Sequence, residues 1–332
     1  MALAGRIIVI VLGVLIALLA LAWLLLRRPD IPYATLEERY GNAQSRYLDL
    51  PGGLHIHYRD QGRRDGPVLV MVHGFSASLE AWEPWVARLS NDYRIVTLDL
   101  PGHGLTRAPA GYKVSVNGYA DITDQVAKAL NLPPYVIIGN SMGGGVAWTL
   151  ALHHPQNLRG LVLVDAAGWP TEPAGGGEPK DTPLIFKLLQ SGVGRAILGQ
   201  IDTRPMAQSG LKAAYVDPAI VTPALVSRYV DLSRAPGHRA MMISILTLRG
   251  EGATPDSFKA IHVPTLVMHG DKDVLIPLDN SQSFAAAIPG ARLIVYPGVG
   301  HVPMEQIPDQ SAADLRAFLA SLPPVPAAGT AS

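Results

Sequence analysis

The chain has 332 residues with 27 basic and 27 acidic side chains and no cysteine, which excludes disulfides, thiolate nucleophiles and cysteine-held metals. Residues 1–28 carry Arg6, Arg27 and Arg28 but no acid. The remainder therefore holds 24 basic against 27 acidic groups and offers no positive footprint for nucleic acid.

From Ile7 to Leu26 the sequence is apolar or glycine without a break, bounded by Arg6 and by Arg27-Arg28. At about 1.5 Å per residue a helix of that length crosses the roughly 30 Å hydrocarbon layer, so residues 1–28 are expected to be a single-pass membrane anchor. The competing reading is a cleaved signal peptide, with Ala20-Leu21-Ala22 as the cleavage site and secretion as the result. Trp23 to Leu26 continue the apolar run past that site, which favours the anchor. Arg27, Arg28 and Arg39 outnumber Arg6 across the span, and the positive-inside tendency then puts the following domain in the cytoplasm.

Residues 29–45, with Pro29, Pro32 and a polar stretch from Thr35 to Glu38, read as a spacer with no packed core of its own. Tyr47 to Leu50 and His55 to Tyr58 flank Pro51-Gly52-Gly53 and predict a hairpin. Continuous apolar runs follow at Val68 to Val72, Ile95 to Leu98, Val136 to Ile138, Leu161 to Val164 and Thr265 to Met268. Such runs suit parallel strands buried on both faces. Amphipathic stretches at Leu79 to Leu89, Val116 to Leu130 and Gly144 to His153 alternate with them, which predicts an α/β fold: a mostly parallel sheet with helices on both faces.

The alternation stops over residues 168–261, which open on the Gly- and Pro-rich stretch Gly168 to Pro179. Short helices are then expected near Leu184 to Leu189, Pro223 to Leu232 and Arg239 to Leu248. This segment reads as an inserted helical cap between two parts of one core, residues 46–167 and 262–322. A last helix from Asp309 to Leu322 and a disordered tail over 323–332 complete the chain.

Four elements carry chemistry. Gly139-Asn140-Ser141-Met142-Gly143 is a G-x-S-x-G placed between a strand and a helix. A serine hydroxyl is a poor nucleophile unless a sharp turn holds it exposed beside a base, so Ser141 is the candidate nucleophile. His73-Gly74-Phe75-Ser76 ends an earlier strand, where the loop lends one amide to an oxyanion hole while the residue after the nucleophile lends another. Phe75 and Met142 are the candidate donors. His301, in Gly298-Val299-Gly300-His301, follows a strand from Leu293 to Tyr296 and is the candidate base.

Asp273 is the candidate acid, tucked in by the apolar run after it, and Asp271 is expected to organise its own turn. Asp165, at the end of an earlier strand, remains a rival for the acid. Asp99 in Asp99-Leu100-Pro101-Gly102-His103-Gly104 is expected to be structural and satisfied by backbone donors. His55 and His57 in the hairpin, and His238, His262 and His269 at or before buried segments, are read as structural. No metal-ligand spacing and no phosphate loop occurs, so neither metal nor cofactor is expected.

On these motifs the sequence from Tyr47 to Leu322 resembles the α/β-hydrolase family, in the elbow around Ser141 and in the order Ser141, Asp273, His301. It is similar within that family to membrane-anchored monoacylglycerol lipases, through the N-terminal span, His73-Gly74-Phe75-Ser76-Ala77, Pro101-Gly102-His103-Gly104-Leu105-Thr106 and Ser141-Met142-Gly143-Gly144. It is also similar to meta-cleavage-product hydrolases, which share Gly139-Asn140-Ser141-Met142-Gly143-Gly144 but usually carry Trp after the histidine, where this chain has Val302. Serine rather than aspartate at 141 separates it from epoxide hydrolases and dehalogenases. The resemblance implies a serine esterase acting on a small-molecule ester or lipid such as a monoacylglycerol, with carbon–carbon bond hydrolysis as the alternative. A tethered binding protein of the same fold is the reading from a different class.

Overall fold

The computed structural model describes residues 2–170, 191–192, 194, 199–246 and 253–323. The helix expected at Leu184 to Leu189 and nearly all of the expected C-terminal tail lie outside the described residues. Helix α1 runs over Ala2–Leu26; none of its residues from Gly5 to Leu26 is buried, and an 18-residue window within that stretch has a mean hydropathy of 3.2.

Eight strands follow: β1 (Ser45–Leu50), β2 (Leu54–Gly62), β3 (Val68–Val72), β4 (Arg94–Leu98), β5 (Tyr135–Asn140), β6 (Leu158–Val164), β7 (Thr265–Gly270) and β8 (Arg292–Tyr296). They form one sheet in the order β1-β2-β4-β3-β5-β6-β7-β8. The hairpin strands β1 and β2 run antiparallel, and all pairs from β4 to β8 are parallel. Every residue of β3, β5 and β7 is buried, as continuous apolar runs require. The pleat divides them between two cores: Val68, Val70 and Val72 pack on one face of the sheet, and Leu69 and Met71 on the other.

Helices α2 (Tyr33–Tyr40), α3 (Glu83–Leu89), α4 (Val116–Ala129) and α5 (Met142–His153) belong to the first half. Between β6 and β7 lie α6 (Arg204–Ala214), α7 (Pro223–Ser233) and α8 (His238–Ile245). Helices α9 (Leu278–Ala287), α10 (Pro303–Gln306) and α11 (Pro308–Ala320) close the fold. Thr222 begins α7 by accepting the Leu225 N–H, and Pro223 occupies the first turn, where a missing N–H costs nothing.

The stretch 29–45 departs from its expectation as an unpacked spacer. Helix α2 forms there, and its Leu36 is fully buried in a small core with Ile31, Leu105, Leu232 and Ala235. One buried leucine in eight residues leaves no periodic stripe to read, and the apolar partners lie far away in sequence. The Tyr33 hydroxyl donates to the Thr106 carbonyl at 3.1 Å, while Tyr40 and Arg39 both donate to Asp231. Thus α2 joins the core loop after β4 to α7.

The end of α1 is docked as well. Arg28 N–H donates to the Gln200 carbonyl at 2.7 Å, the Asp202 N–H reaches Leu26 at 3.2 Å, and the Arg28 guanidinium pairs with Asp202. Arg239 meets Asp30 at 2.6 Å, and Arg234 donates to the Pro29 carbonyl. Residues 27–31 are therefore held against the segment between β6 and β7.

Candidate active site

The carboxyl ends of the parallel strands converge, and there the predicted residues meet. Ser141 joins β5 to α5 with φ 54° and ψ −119°, a left-handed conformation rare for a residue with a side chain. Two glycines permit it: a Cβ on Gly139 would lie 2.0 Å from the Gly143 carbonyl oxygen, and one on Gly143 would lie 2.1 Å from that of Val72. A Cβ on Gly144 would meet Ala166, so α5 packs against the chain beyond β6 only because the side chain is missing. Each glycine forestalls a clash that would push Ser141 out of its turn.

Ser141 and His301 both line a cavity of about 400 Å³. His301 is nearly buried, and its Nδ1–H donates to Asp273 Oδ2 at 2.6 Å. The other oxygen of Asp273 accepts the Leu275 and Ile276 amides at 2.7 and 3.1 Å. Burial pushes this carboxyl up, but the His301 imidazole and those two amides outweigh it and hold it below the usual carboxylate range. The apolar run after Asp273 does not tuck it in as expected: Val274 and Leu275 are exposed, and backbone amides together with the imidazole enclose the acid instead.

Asp165 lies behind this pair. Its Oδ1 accepts the Gly270 amide at 3.0 Å, and its Oδ2 is buried with no hydrogen-bond partner. Burial, and then the neighbouring Asp273 charge, push its pKa well above the ordinary value. Polar atoms of Asp165, Asp273 and His301 fall within 4.8 Å of one another. Two ligands of one ion, each about 2.1 Å from it, stand roughly 3.4 Å apart in a tetrahedral site. The 2.6 Å contact between His301 and Asp273 is shorter and is a hydrogen bond.

Phe75 also lines the cavity, and Met142 is the first residue of α5. Among the described residues neither N–H has an acceptor. Two free amides beside Ser141, one of them at a helix N-terminus, suit a developing negative charge. The preceding His73 is fully buried; Nδ1–H donates to the Gly74 carbonyl and Nε2 accepts the Leu100 amide, so the loop is pinned to the end of β4.

Two supporting residues had other roles, or none, in the sequence reading. Asn140 donates to the carbonyls of Val164 and His301 at 3.2 and 3.1 Å, tying the serine turn to the histidine loop. Nothing but its place before Ser141 could have signalled this. Asp271, expected to serve its own turn, accepts the Gly298 amide at 2.6 Å and so braces the His301 loop from the neighbouring strand. Asp99 accepts the amides of Leu79 and Leu105, as expected of a backbone-satisfied acid, and also binds buried His57 at 2.7 Å.

A profile of the alpha/beta hydrolase fold matches residues 67–307. The chain belongs to that family. This hydrolase is 27% identical over 265 residues to monoacylglycerol lipase ABHD6 of Bos taurus, a match covering 77% of this chain and 76% of the lipase. It is 27% identical over 261 residues to a 2-hydroxymuconate semialdehyde hydrolase of Pseudomonas sp., covering 76% of this chain and 86% of that one. Among solved structures, a bacterial membrane phospholipase A superposes with a TM-score of 0.69 at 26% identity, over 95% of this hydrolase and 97% of the phospholipase.

Proposed function

We propose that this hydrolase is a serine carboxylic-ester hydrolase that works through an acyl-enzyme on esters with apolar acyl chains, monoacylglycerols among them. One observation carries the reading: a strained Ser141 faces a cavity it shares with His301, whose ring is fixed from behind by Asp273. With Nδ1–H given to Asp273, the imidazole has Nε2 left to accept a proton from Ser141. The serine oxygen then attacks the ester carbonyl, and the tetrahedral oxyanion rests on the Phe75 and Met142 amides, a contact worth about 10²–10³ in rate per donor. His301 passes the proton to the departing alcohol, and water repeats the cycle on the acyl-enzyme.

Ile201, Met206, Leu211, Met242 and Leu246 make much of the cavity apolar, which suits an acyl chain. Helix α1 is read as an anchor in the bilayer. In support, its apolar side chains from Ile7 to Leu26 face outward all round, and Ile201 and Asp202 connect its end directly to the cavity wall. Membrane lipid is then a short path from the serine.

A fluorophosphonate probe tests the chemistry. Wild type should label and Ser141→Ala should not; an unlabelled wild type, or equal labelling of both, removes the enzyme reading. Turnover of a ring-fission dienoate orders of magnitude faster than a nitrophenyl ester would replace ester hydrolysis with carbon–carbon cleavage.

A further inference from the structure

The cavity is apolar along most of its wall but not beside His301. Glu305, on α10 immediately after His301, lines it together with Tyr215 and Tyr229. Tyr215 follows Ala214, whose carbonyl accepts the His301 backbone N–H at 2.9 Å, so two of the three residues are placed by the chain that places the imidazole. Their polar atoms are poorly satisfied. Glu305 Oε1 and the Tyr215 hydroxyl are buried beside one another without a well-aligned hydrogen bond, and the Tyr229 hydroxyl has none among the described residues. Buried groups of this kind are costly unless something bonds to them.

We propose that Tyr229, Glu305 and Tyr215 form a subsite that binds a free hydroxyl on the alcohol part of the substrate, so that esters of a polyol such as glycerol are preferred over esters of simple alcohols. The inference rests on the ester reading above, because it assigns the two ends of the substrate around Ser141. His301 must protonate the leaving oxygen, so the alcohol lies on the His301 side and the acyl chain takes the apolar remainder. A polyol hydroxyl donates to Glu305 and accepts from a tyrosine, which suits the unfilled atoms.

A cationic alcohol fits less well. The Arg228 guanidinium already stands near Glu305 and both tyrosines, and would repel it. Glu305 makes no ion pair with Arg228, whose nearest carboxylate oxygen, on Glu80, is 4.0 Å away. Burial accordingly pushes the Glu305 carboxyl up, to about 7, although Arg228 and Tyr215 draw it down. An incoming hydroxyl would relieve that desolvation.

The test compares kcat/KM for a monoacylglycerol, the ethyl ester and the choline ester of one short acyl chain, using the full-length protein. Wild type should favour the glycerol ester over the ethyl ester by about tenfold, since one hydrogen bond to a charged or buried partner contributes roughly 1.5 kcal/mol. Tyr229→Phe and Glu305→Met should each reduce that ratio severalfold or more, with fluorophosphonate labelling showing that each variant is folded. A wild-type ratio near one overturns the subsite without any mutation, as does a ratio unchanged in both variants. Preference for the choline ester overturns the assignment to a neutral polyol. Failure of wild type to hydrolyse any of the three esters strikes at the ester reading instead.

Discussion

Two aspartates stand near one imidazole, and their surroundings push their pKa values in opposite directions. Asp273 accepts from His301 and two amides, which favour its anion; Asp165 has one amide, the His269 imidazole 3.4 Å away and an oxygen without a partner, and burial favours its proton. An anion is what fixes the imidazole tautomer and stabilises the imidazolium, so their substitutions should differ sharply. Asp273→Asn is expected to lower kcat on a nitrophenyl ester by about 10³–10⁴, the scale seen when a triad acid is neutralised. Asp165→Asn keeps the shape and removes no hydrogen bond to the His301 ring, and should leave kcat within about tenfold. If Asp165→Asn proved the more damaging in steady-state assays, the assignment of the acid would be reversed. Strand order alone left both acids in play, since each follows a strand at the same end of the sheet. The choice turns on the hydrogen bond between Asp273 and a histidine 28 residues away, a contact made in space.

At the scale of elements, the strands were legible because burial on both faces demands unbroken apolar runs, and β3, β5 and β7 carry them. The serine turn was legible because close packing demands glycine at 139, 143 and 144. Helix α2 was not, because its stability comes from elsewhere: Leu36 packs on Leu105 and Leu232, and Arg107 pairs with Glu37 while lying 5.0 Å above the Tyr33 ring. Eight residues are too few to hold a helix without such contacts. Leu36→Ala should therefore cost about 2–5 kcal/mol, the range for emptying a leucine site in a core, and lower the thermal midpoint accordingly. A change below about 0.5 kcal/mol in urea unfolding would return residues 33–40 to the status of a loose connector.

For the whole molecule, the buried titratable groups set the pH at which it is most stable. His73, His103, His238 and His269 are pushed below the ordinary histidine pKa, in each case first by burial. Unfolding exposes them, so below about pH 6.5 the unfolded chain takes up protons that the folded one refuses, and stability falls with acidity. Asp165 and Glu305 act with the opposite sign: their raised pKa values mean that the folded state holds protons the unfolded state has lost above about pH 4. Four histidines oppose two carboxyls between roughly pH 4.5 and 6.5, and the more numerous imidazoles decide the sign. Below about pH 4, Asp99 and Asp273, both held under the usual carboxylate range, should steepen the decline as they are protonated. Urea unfolding of the protein in detergent from pH 8 to 4 should thus show greatest stability near neutrality and a fall that begins before the carboxylates titrate. A profile that stayed flat down to pH 4.5 would overturn the expectation that the buried imidazoles, His73 with its Nε2 accepting the Leu100 amide among them, outweigh the two carboxyls.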